Sequence, residues 1–323
     1  EQNVQFVYVD QNTPVVVESV EFINERQKVE ISVEKQDAEN GSTIAGAEFG
    51  LYAKEDIKAG EKVIVKADEQ LCTAVTGDDG TAVFEQDLPF GSYYIKELQA
   101  PYGFISSDEI IEVTVSYQGQ DVEVVRLKEI FKNQPTTVEF TKSDLTTGVE
   151  LDGATLTVLD KDGDEIDKWT SVKGEPHIIK RLHVGETYTL REEFAPYGYL
   201  KAEEVEFTIT DTAEIQKVEM KDDVPIGRII INKKGEFLSE VTWNEMVAGA
   251  MDSIWDYVTG SLKDVTFEIY AREDVKAADG ESDDYYKKDE LVATITTDEL
   301  GFARSDDLPL GKYYVVEKET ANG

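Results

Sequence analysis

Three segments of this chain each run an apolar alternation into a lysine. Residues 29–35 read VEISVEK, residues 138–142 read VEFTK, and residues 229–233 read IIINK. Side chains on a strand alternate between its two faces. Val29, Ile31, Val33 and Lys35 therefore share a face, as do Val138, Phe140 and Lys142, and Ile229, Ile231 and Lys233. Successive lysines lie 142 − 35 = 107 and 233 − 142 = 91 residues apart. Self-similarity on that scale means an array of like units rather than one large fold.

A second element repeats further along each unit. Residues 88–103 read LPFGSYYIKELQAPYG, 184–198 read VGETYTLREEFAPYG, and 308–323 read LPLGKYYVVEKETANG. The same parity aligns Tyr93, Ile95 and Glu97, then Tyr188, Leu190 and Glu192, then Tyr313, Val315 and Glu317. Glu192 is preferred to Glu193 because it shares the face of Leu190. A third element closes the units: VRLKEIFKN at 125–133, VEMKDD at 218–223, and VEFIN at 20–24. Here Phe131 aligns with Asn133, Met220 with Asp222, and Phe22 with Asn24. Asp223 is an alternative to Asp222, since it stands two residues before Pro225 as Asn133 stands before Pro135.

Between these elements lie GAEFGLY at 46–52, GATLTVL at 153–159 and DVTFEIY at 264–270, separated by Asp- and Gly-rich turns. Short strands rich in Val, Ile, Thr and Tyr, broken by such turns, predict an all-β chain of tandem antiparallel β-sandwiches in an elongated array. Helices do not alternate with the strands, so a parallel α/β sheet is excluded. The expected boundaries are residues 1–26 as closing strands of a preceding unit, 27–135 and 136–225 as whole units, and 226–323 as a partial one. One interruption, near 235–262, has a helical period over 242–259. Thr242 and Glu245 fit a capping box. Trp243, Val247, Ala250, Ile254 and Val258 follow at helical spacing, and Gly260 is a stop. That insertion is expected to pack on a sandwich, or to form a binding patch around Trp243 and Trp255.

Composition narrows the function. With 68 acidic and 32 basic residues the formal charge is −36. Nucleic acid and anionic lipid surfaces both need clustered Lys and Arg, so neither is an expected partner. Cys72 is the lone cysteine, which rules out an intrachain disulfide. No stretch approaches the ~18 apolar residues of a membrane span. No signal peptide opens the chain and no hydrophobic tail closes it, so it is either cytosolic or a piece of a longer secreted chain.

A lysine, a glutamate and an amide or carboxylate at inward strand positions are costly unless paired or neutralised. Burial raises a glutamate pKa and lowers a lysine pKa. Both can then be uncharged at neutral pH, leaving a nucleophilic amine beside a proton carrier. An amine held against an Asn side chain can form an amide with loss of ammonia; against Asp, with loss of water. The bland reading is a buried Lys–Glu ion pair, but recurrence at matching parity in every unit favours the chemistry.

The box YYIKELQAPYGF at 93–104 and its copy YTLREEFAPYGY at 188–199 resemble the motif of SpaA-like, or Cna B-type (prealbumin-like), repeats of Gram-positive surface adhesins and pilins. The resemblance covers the chain apart from the 235–262 insertion. It implies autocatalytic Lys–Asn or Lys–Asp isopeptide bonds with the box glutamate as proton shuttle. Carried over, it implies Lys35–Asn133 with Glu97, and Lys142–Asp222 (or Asp223) with Glu192. The third unit departs from the motif in reading Thr320-Ala321 for Ala-Pro and lacks the closing strands, so Lys233 and Glu317 are expected to find their acceptor beyond this chain, and Asn24 has no lysine of its own. No cofactor and no metal are implied.

The expected function is a structural stalk or spacer of a secreted, cell-wall-attached protein, with neighbouring repeats as its partners and no turnover activity. The competing expectation is an adhesin module that binds a host matrix protein or glycan through the insertion or the acidic surface. Two other motifs have bland readings. The run Asp160-Lys161-Asp162-Gly163-Asp164 has its glycine at the fourth place and no glutamate at the twelfth, so it reads as a hairpin turn, not a calcium loop. Cys72 has no activating neighbour in sequence.

Overall fold

A computed structural model describes residues 2–245 and 251–319. No helix occurs among them. The chain divides into two compact units: residues 1–136 with 181–184 and 211–213, and residues 137–180, 185–210 and 214–323.

The first unit holds one sandwich. Its smaller sheet has the order Thr81–Phe84, Lys28–Asp37, Val124–Asn133; the facing sheet runs Gln70–Val75, Glu48–Ala53, Gly91–Gln99, Ile110–Val115. Period-two burial is strict along Lys28–Asp37, with Val29, Ile31, Val33 and Lys35 all inward. The core joins these to Phe49, Leu51, Tyr93, Ile95 and Phe131. The first and last strands pair in parallel, Lys35 opposite Phe131 and Asp37 opposite Asn133. All the other pairings in this sandwich are antiparallel.

The second unit repeats the plan. One sheet orders His177–Lys180, Thr137–Asp144, Gln216–Asp222; its partner orders Glu165–Thr170, Thr155–Leu159, Thr187–Phe194, Val205–Thr208. Again the first and last strands are parallel, Lys142 opposite Met220 and Asp144 opposite Asp222. A third, smaller core gathers Val265, Phe267, Ile269, Ile295 and Ala303. There, Ile230–Asn232 pairs with Phe302–Arg304, and Leu291–Thr296, Thr266–Ala271 and Tyr313–Glu319 form a sheet.

Among the described residues of 242–259 the expected helix is not found. Lys234–Glu245 and Met251–Ser261 are strands of one antiparallel hairpin; Val247 and Ala250 lie outside the described residues. Val241, Trp243, Ile254, Trp255, Tyr257, Val258 and Thr259 are aromatic or β-branched, which favours a pleated surface. Apolar residues this dense match both the helical and the strand period, and pairing across the hairpin decides between them. Register puts Leu238, Val241, Trp243, Met251, Trp255 and Tyr257 on one face, with Glu240, Asp252 and Asp256 on the other. Trp243 and Trp255 are 62% and 51% exposed.

The hairpin is an outgrowth of one loop. In the first sandwich Lys35 N–H donates to Gly80 O and Ile44 N–H donates to Lys35 O. In the third, Lys233 N–H donates to Gly301 O and Leu262 N–H donates to Lys233 O. Residues 234–261 thus stand where residues 36–43 stand. Replacing 234–261 by the 36–43 sequence is expected to leave the unfolding of the remaining chain within about 1 kcal/mol of its original stability, read from thermal melts.

Residues 2–27 form no strand. The run at 160–164 is a hairpin turn between Thr155–Leu159 and Glu165–Thr170, with the Asp160 carboxylate accepting from the N–H groups of Asp162 and Asp164 at 2.9 Å each.

Candidate functional site

The site is assembled from three strands. In the first sandwich Lys35 comes from the first strand, and Asn133 from the last strand of the same sheet. Parallel register sets Asn133 two residues beyond the residue opposite Lys35, on the same inward face. Glu97 comes from the facing sheet, where it is opposite Phe49 just past a register shift. That position recurs: Glu192 is opposite Leu156 and Glu317 is opposite Phe267, each beside the same irregularity. Tyr93, four residues before Glu97, anchors the strand by burying its ring and donating its hydroxyl to Pro89 O at 2.6 Å.

The box turn explains its own residues. Phe104 N–H donates to Pro101 O, and Tyr199 N–H donates to Pro196 O. Gly103 has a φ of 77° and Gly198 one of 93°, a region costly for side chains. A Cβ on Gly103 would also stand 2.5 Å from Arg181 O.

Lys35 Nζ donates to Asn133 Oδ1 at 2.5 Å and lies 2.9 Å from Glu97 Oε1. Asn133 Nδ2 donates to both Glu97 oxygens, at 2.9 and 2.8 Å. The Lys35 and Glu97 side chains are 0% and 2% exposed. Phe49 and Phe131 flank the lysine, with ring centroids 5.6 and 5.8 Å from Nζ. Burial pushes the Lys35 pKa down, against the opposing pull of Glu97. A neutral amine therefore lies within reach, poised against an amide whose NH2 already faces a carboxyl group.

The second sandwich gathers Lys142, Glu192 and Asp222, all with fully buried side chains. Lys142 Nζ donates to Asp222 Oδ1 and lies 3.1 Å from Glu192 Oε1. Two carboxylates share one ammonium. Glu192 Oε1 and Asp222 Oδ2 are buried and accept no hydrogen bond. Burial pushes the Asp222 pKa up to about 6; Lys142 pulls against that, and Glu192 adds to it. A proton held by this pair relieves their repulsion and makes Asp222 a carboxylic acid, which an amine can attack. Asp223 is exposed, and its carboxylate accepts from Val224 N–H. Glu193 is half-buried and outside the cluster.

In the third sandwich Lys233 Nζ donates to Glu317 Oε2 at 2.9 Å, with both side chains 28% exposed. No acceptor side chain joins them among the described residues. Asn24 is exposed and distant in sequence from any strand but Lys28–Asp37.

Two backbone donors to these glutamates are not legible in the sequence. Ser107 N–H donates to Glu97 Oε2 at 3.0 Å, and Ala202 N–H donates to Glu192 Oε2 at 2.7 Å. Each donor lies ten residues after its glutamate. The equal length of chain from glutamate through the box was the available signal. Cys72 is half-buried, and burial pushes its thiol pKa up. Among the described residues no cluster of three His, Cys, Asp or Glu is placed to hold a metal ion.

A family model described as the SpaA prealbumin-like fold domain matches residues 29–129, 136–224 and 255–323. No curated protein matches the chain. Among solved structures it is similar to the Bacillus anthracis TIE protein, at 23% identity and a TM-score of 0.50, covering 91% of this chain and 46% of that one. The chain thus spans about half the length of that relative. It is also similar to the shaft pilin SpaA from Lactobacillus rhamnosus GG, at 16% identity, TM-score 0.29, covering 62% of this chain and 98% of that one. A Streptococcal ancillary pilin matches at 22% identity, TM-score 0.27, covering 62% of this chain and 64% of that one.

Proposed function

The chain belongs to the family of SpaA prealbumin-like fold domains, and on that premise we propose that it is a stalk segment of a Gram-positive cell-surface adhesin or pilin whose sandwiches lock themselves with isopeptide bonds. The observation that carries this reading is the first site: an amine 2.5 Å from an amide oxygen, with Glu97 bridging to the amide nitrogen. In the first sandwich Glu97 takes a proton from Lys35, the free amine attacks Asn133 Cγ, and Glu97 returns the proton to the departing Nδ2. One amide bond forms and one ammonia leaves. In the second sandwich Lys142 attacks protonated Asp222, Glu192 moves the protons, and one water leaves. The fold contributes proximity and orientation, which can be worth roughly 7–11 kcal/mol of barrier.

The mechanical consequence follows from the strands joined. Tension enters each sandwich through its first strand and leaves through its last. A covalent link between them carries the load and shields the intervening residues. The links would close loops of 98 and 80 residues. By analogy with disulfides, such loops restrict the unfolded chain by about 4–5 kcal/mol. Neighbouring repeats and other subunits of the same surface structure are the partners that fit this role.

The test is intact mass under denaturing conditions. The chain should be lighter than its sequence by one ammonia and one water; a mass equal to the sequence mass would falsify the crosslinks. The two bonds should also form with opposite pH dependence in freshly synthesised chains. Lys35 must be neutral to attack, so ammonia loss should accelerate as pH rises. Asp222 must be protonated, so water loss should slow as pH rises through about 6.

A second reading is supported by the hairpin. Its exposed face of Trp243, Trp255 and Tyr257 suits a host matrix protein or a glycan ring. The loop replacement described above should abolish binding in a glycan or matrix-protein array under this reading, and change nothing if the chain is a spacer.

A further inference from the structure

Arg181 stands in a backbone conformation that its type seldom takes. Its φ is 67°, and every other non-glycine residue with positive φ among the described residues is an aspartate. Aspartate visits that region through local hydrogen bonds; for most other residues it costs about 1–2 kcal/mol. Such a conformation persists only where the surroundings over-determine it.

The surroundings here are those of the first site. Arg181 groups with the first compact unit, although the strand it follows, His177–Lys180, belongs to the second. Its N–H donates to Thr136 O at 3.0 Å, three residues after Asn133. Its guanidinium donates to Asp37 Oδ2 at 2.7 Å and lies 5.6 Å from the centre of the Phe104 ring. Thr136 N–H in turn donates to Gly103 O at 3.0 Å. Arg181 therefore ties together the three segments that deliver Lys35, Glu97 and Asn133.

Asp37 is the telling partner. It is the next inward residue after Lys35, directly opposite Asn133, and its side chain is 0% exposed. Ala38 N–H donates to Asn133 O at 2.9 Å, so the strand end that carries Asp37 also holds the acceptor strand. Burial pushes the Asp37 pKa up, but Glu39 N–H and Arg181 outweigh it and hold the carboxyl below its usual range. A buried carboxylate that stays ionised depends on its partners. The second sandwich has the same aspartate: Asp144 is opposite Asp222 and two residues past Lys142. There the partner comes from the sandwich itself, as Tyr199 Oη donates to Asp144 Oδ2 at 2.8 Å. Tyr199 ends the box YTLREEFAPYGY, and its counterpart in YYIKELQAPYGF is Phe104, which has no hydroxyl. Arg181 fills the role that Phe104 cannot.

We propose that Asp37 and Asp144 are positioning residues for the two crosslinks, and that the first crosslink depends on Arg181 whereas the second depends on Tyr199. The proposal rests on the crosslinking chemistry given above. Each aspartate acts through its strand end rather than on the reacting atoms. It fixes the end of the lysine strand against the box turn, and with it the approach of the amine to the acceptor carbon. The first bond thus waits for a residue of the following repeat, while the second draws on its own box.

The test follows ammonia and water loss by intact mass in freshly synthesised full-length chains, well below the melting transition. Arg181→Ala should slow ammonia loss by about ten- to a hundredfold, the scale of a misplacement of about 1 Å, and leave water loss at its original rate. Adding Phe104→Tyr should restore the ammonia rate, because the added hydroxyl can meet Asp37 as Tyr199 meets Asp144. Tyr199→Phe should slow water loss alone. A merely structural defect would lower the melting temperature without sorting by bond. Unchanged ammonia loss in Arg181→Ala, unchanged water loss in Tyr199→Phe, or slowing of both losses together in either variant overturns the positioning role. So does a failure of Phe104→Tyr to restore the ammonia rate. If the unaltered chain loses neither ammonia nor water, the crosslinking reading falls instead.

Discussion

Replacing Glu97 with alanine is expected to restore one ammonia to the denatured mass and to leave the water loss of the second sandwich untouched. Glu97 is the group that can move protons between Lys35 Nζ and Asn133 Nδ2, since it touches both. Without it the amine and the amide still meet, but the leaving nitrogen has no acid to protonate it. The stability cost should be large. Losing a crosslink over a 98-residue loop removes about 4–5 kcal/mol. For a domain of this size that corresponds to a fall of roughly 20–30 °C in the first sandwich's melting transition. Glu97→Gln separates chemistry from packing, because it keeps the shape and an acceptor for Ser107 N–H. If Glu97→Gln retained the ammonia loss, a proton shuttle at this position would be untenable.

Lys142→Met should have a still larger effect. It would remove the proposed second crosslink, and it strands two fully buried carboxylates. Breaking a buried pair in this way costs about 3–5 kcal/mol. Added to a loop term of about 4 kcal/mol, it consumes most of the ~5–15 kcal/mol that keeps a domain folded. Limited proteolysis should then cut within residues 137–223 while the ammonia loss of the first sandwich persists. Acid should partly rescue this variant. Asp222 is already raised to about 6 with Lys142 beside it, and removing the lysine takes away two influences that lower it. A folded pKa above the unfolded value of about 3.9 stabilises the fold most below that value. The benefit is lost as pH rises through the folded pKa. Melts should therefore show the second sandwich of Lys142→Met more stable near pH 4 than at neutrality; the reverse order would count against a protonated Asp222.

Much of this architecture could be read before any coordinates. Period-two alternation is a local property of the chain, and it is why Val29, Ile31, Val33 and Lys35 point into one core. The parity that aligned Tyr93, Ile95 and Glu97 is of the same kind. Parity also distinguishes Asp222, against Lys142, from Asp223, at the surface. The helical period over 242–259 misleads because Trp243, Ile254 and Val258 fit two periods at once, and pairing across the hairpin decides for the strand. The backbone donors of Ser107 and Ala202 were invisible for another reason. Every residue except proline has an N–H, so side-chain chemistry cannot mark which one meets a carboxylate.

The parallel pairing of first and last strands also sets an order in time. Asn133 ends the final strand of its sandwich, and Asp222 ends the final strand of the next. Neither acceptor exists until nearly every other residue of its unit has been synthesised. Under the proposed crosslinking, a partly made sandwich could not be sealed in a wrong register, because the residue that would seal it arrives last. Until then the chain remains a reversible polymer, free to unfold, thread and refold. On that proposal each unit would become permanent only once it is complete.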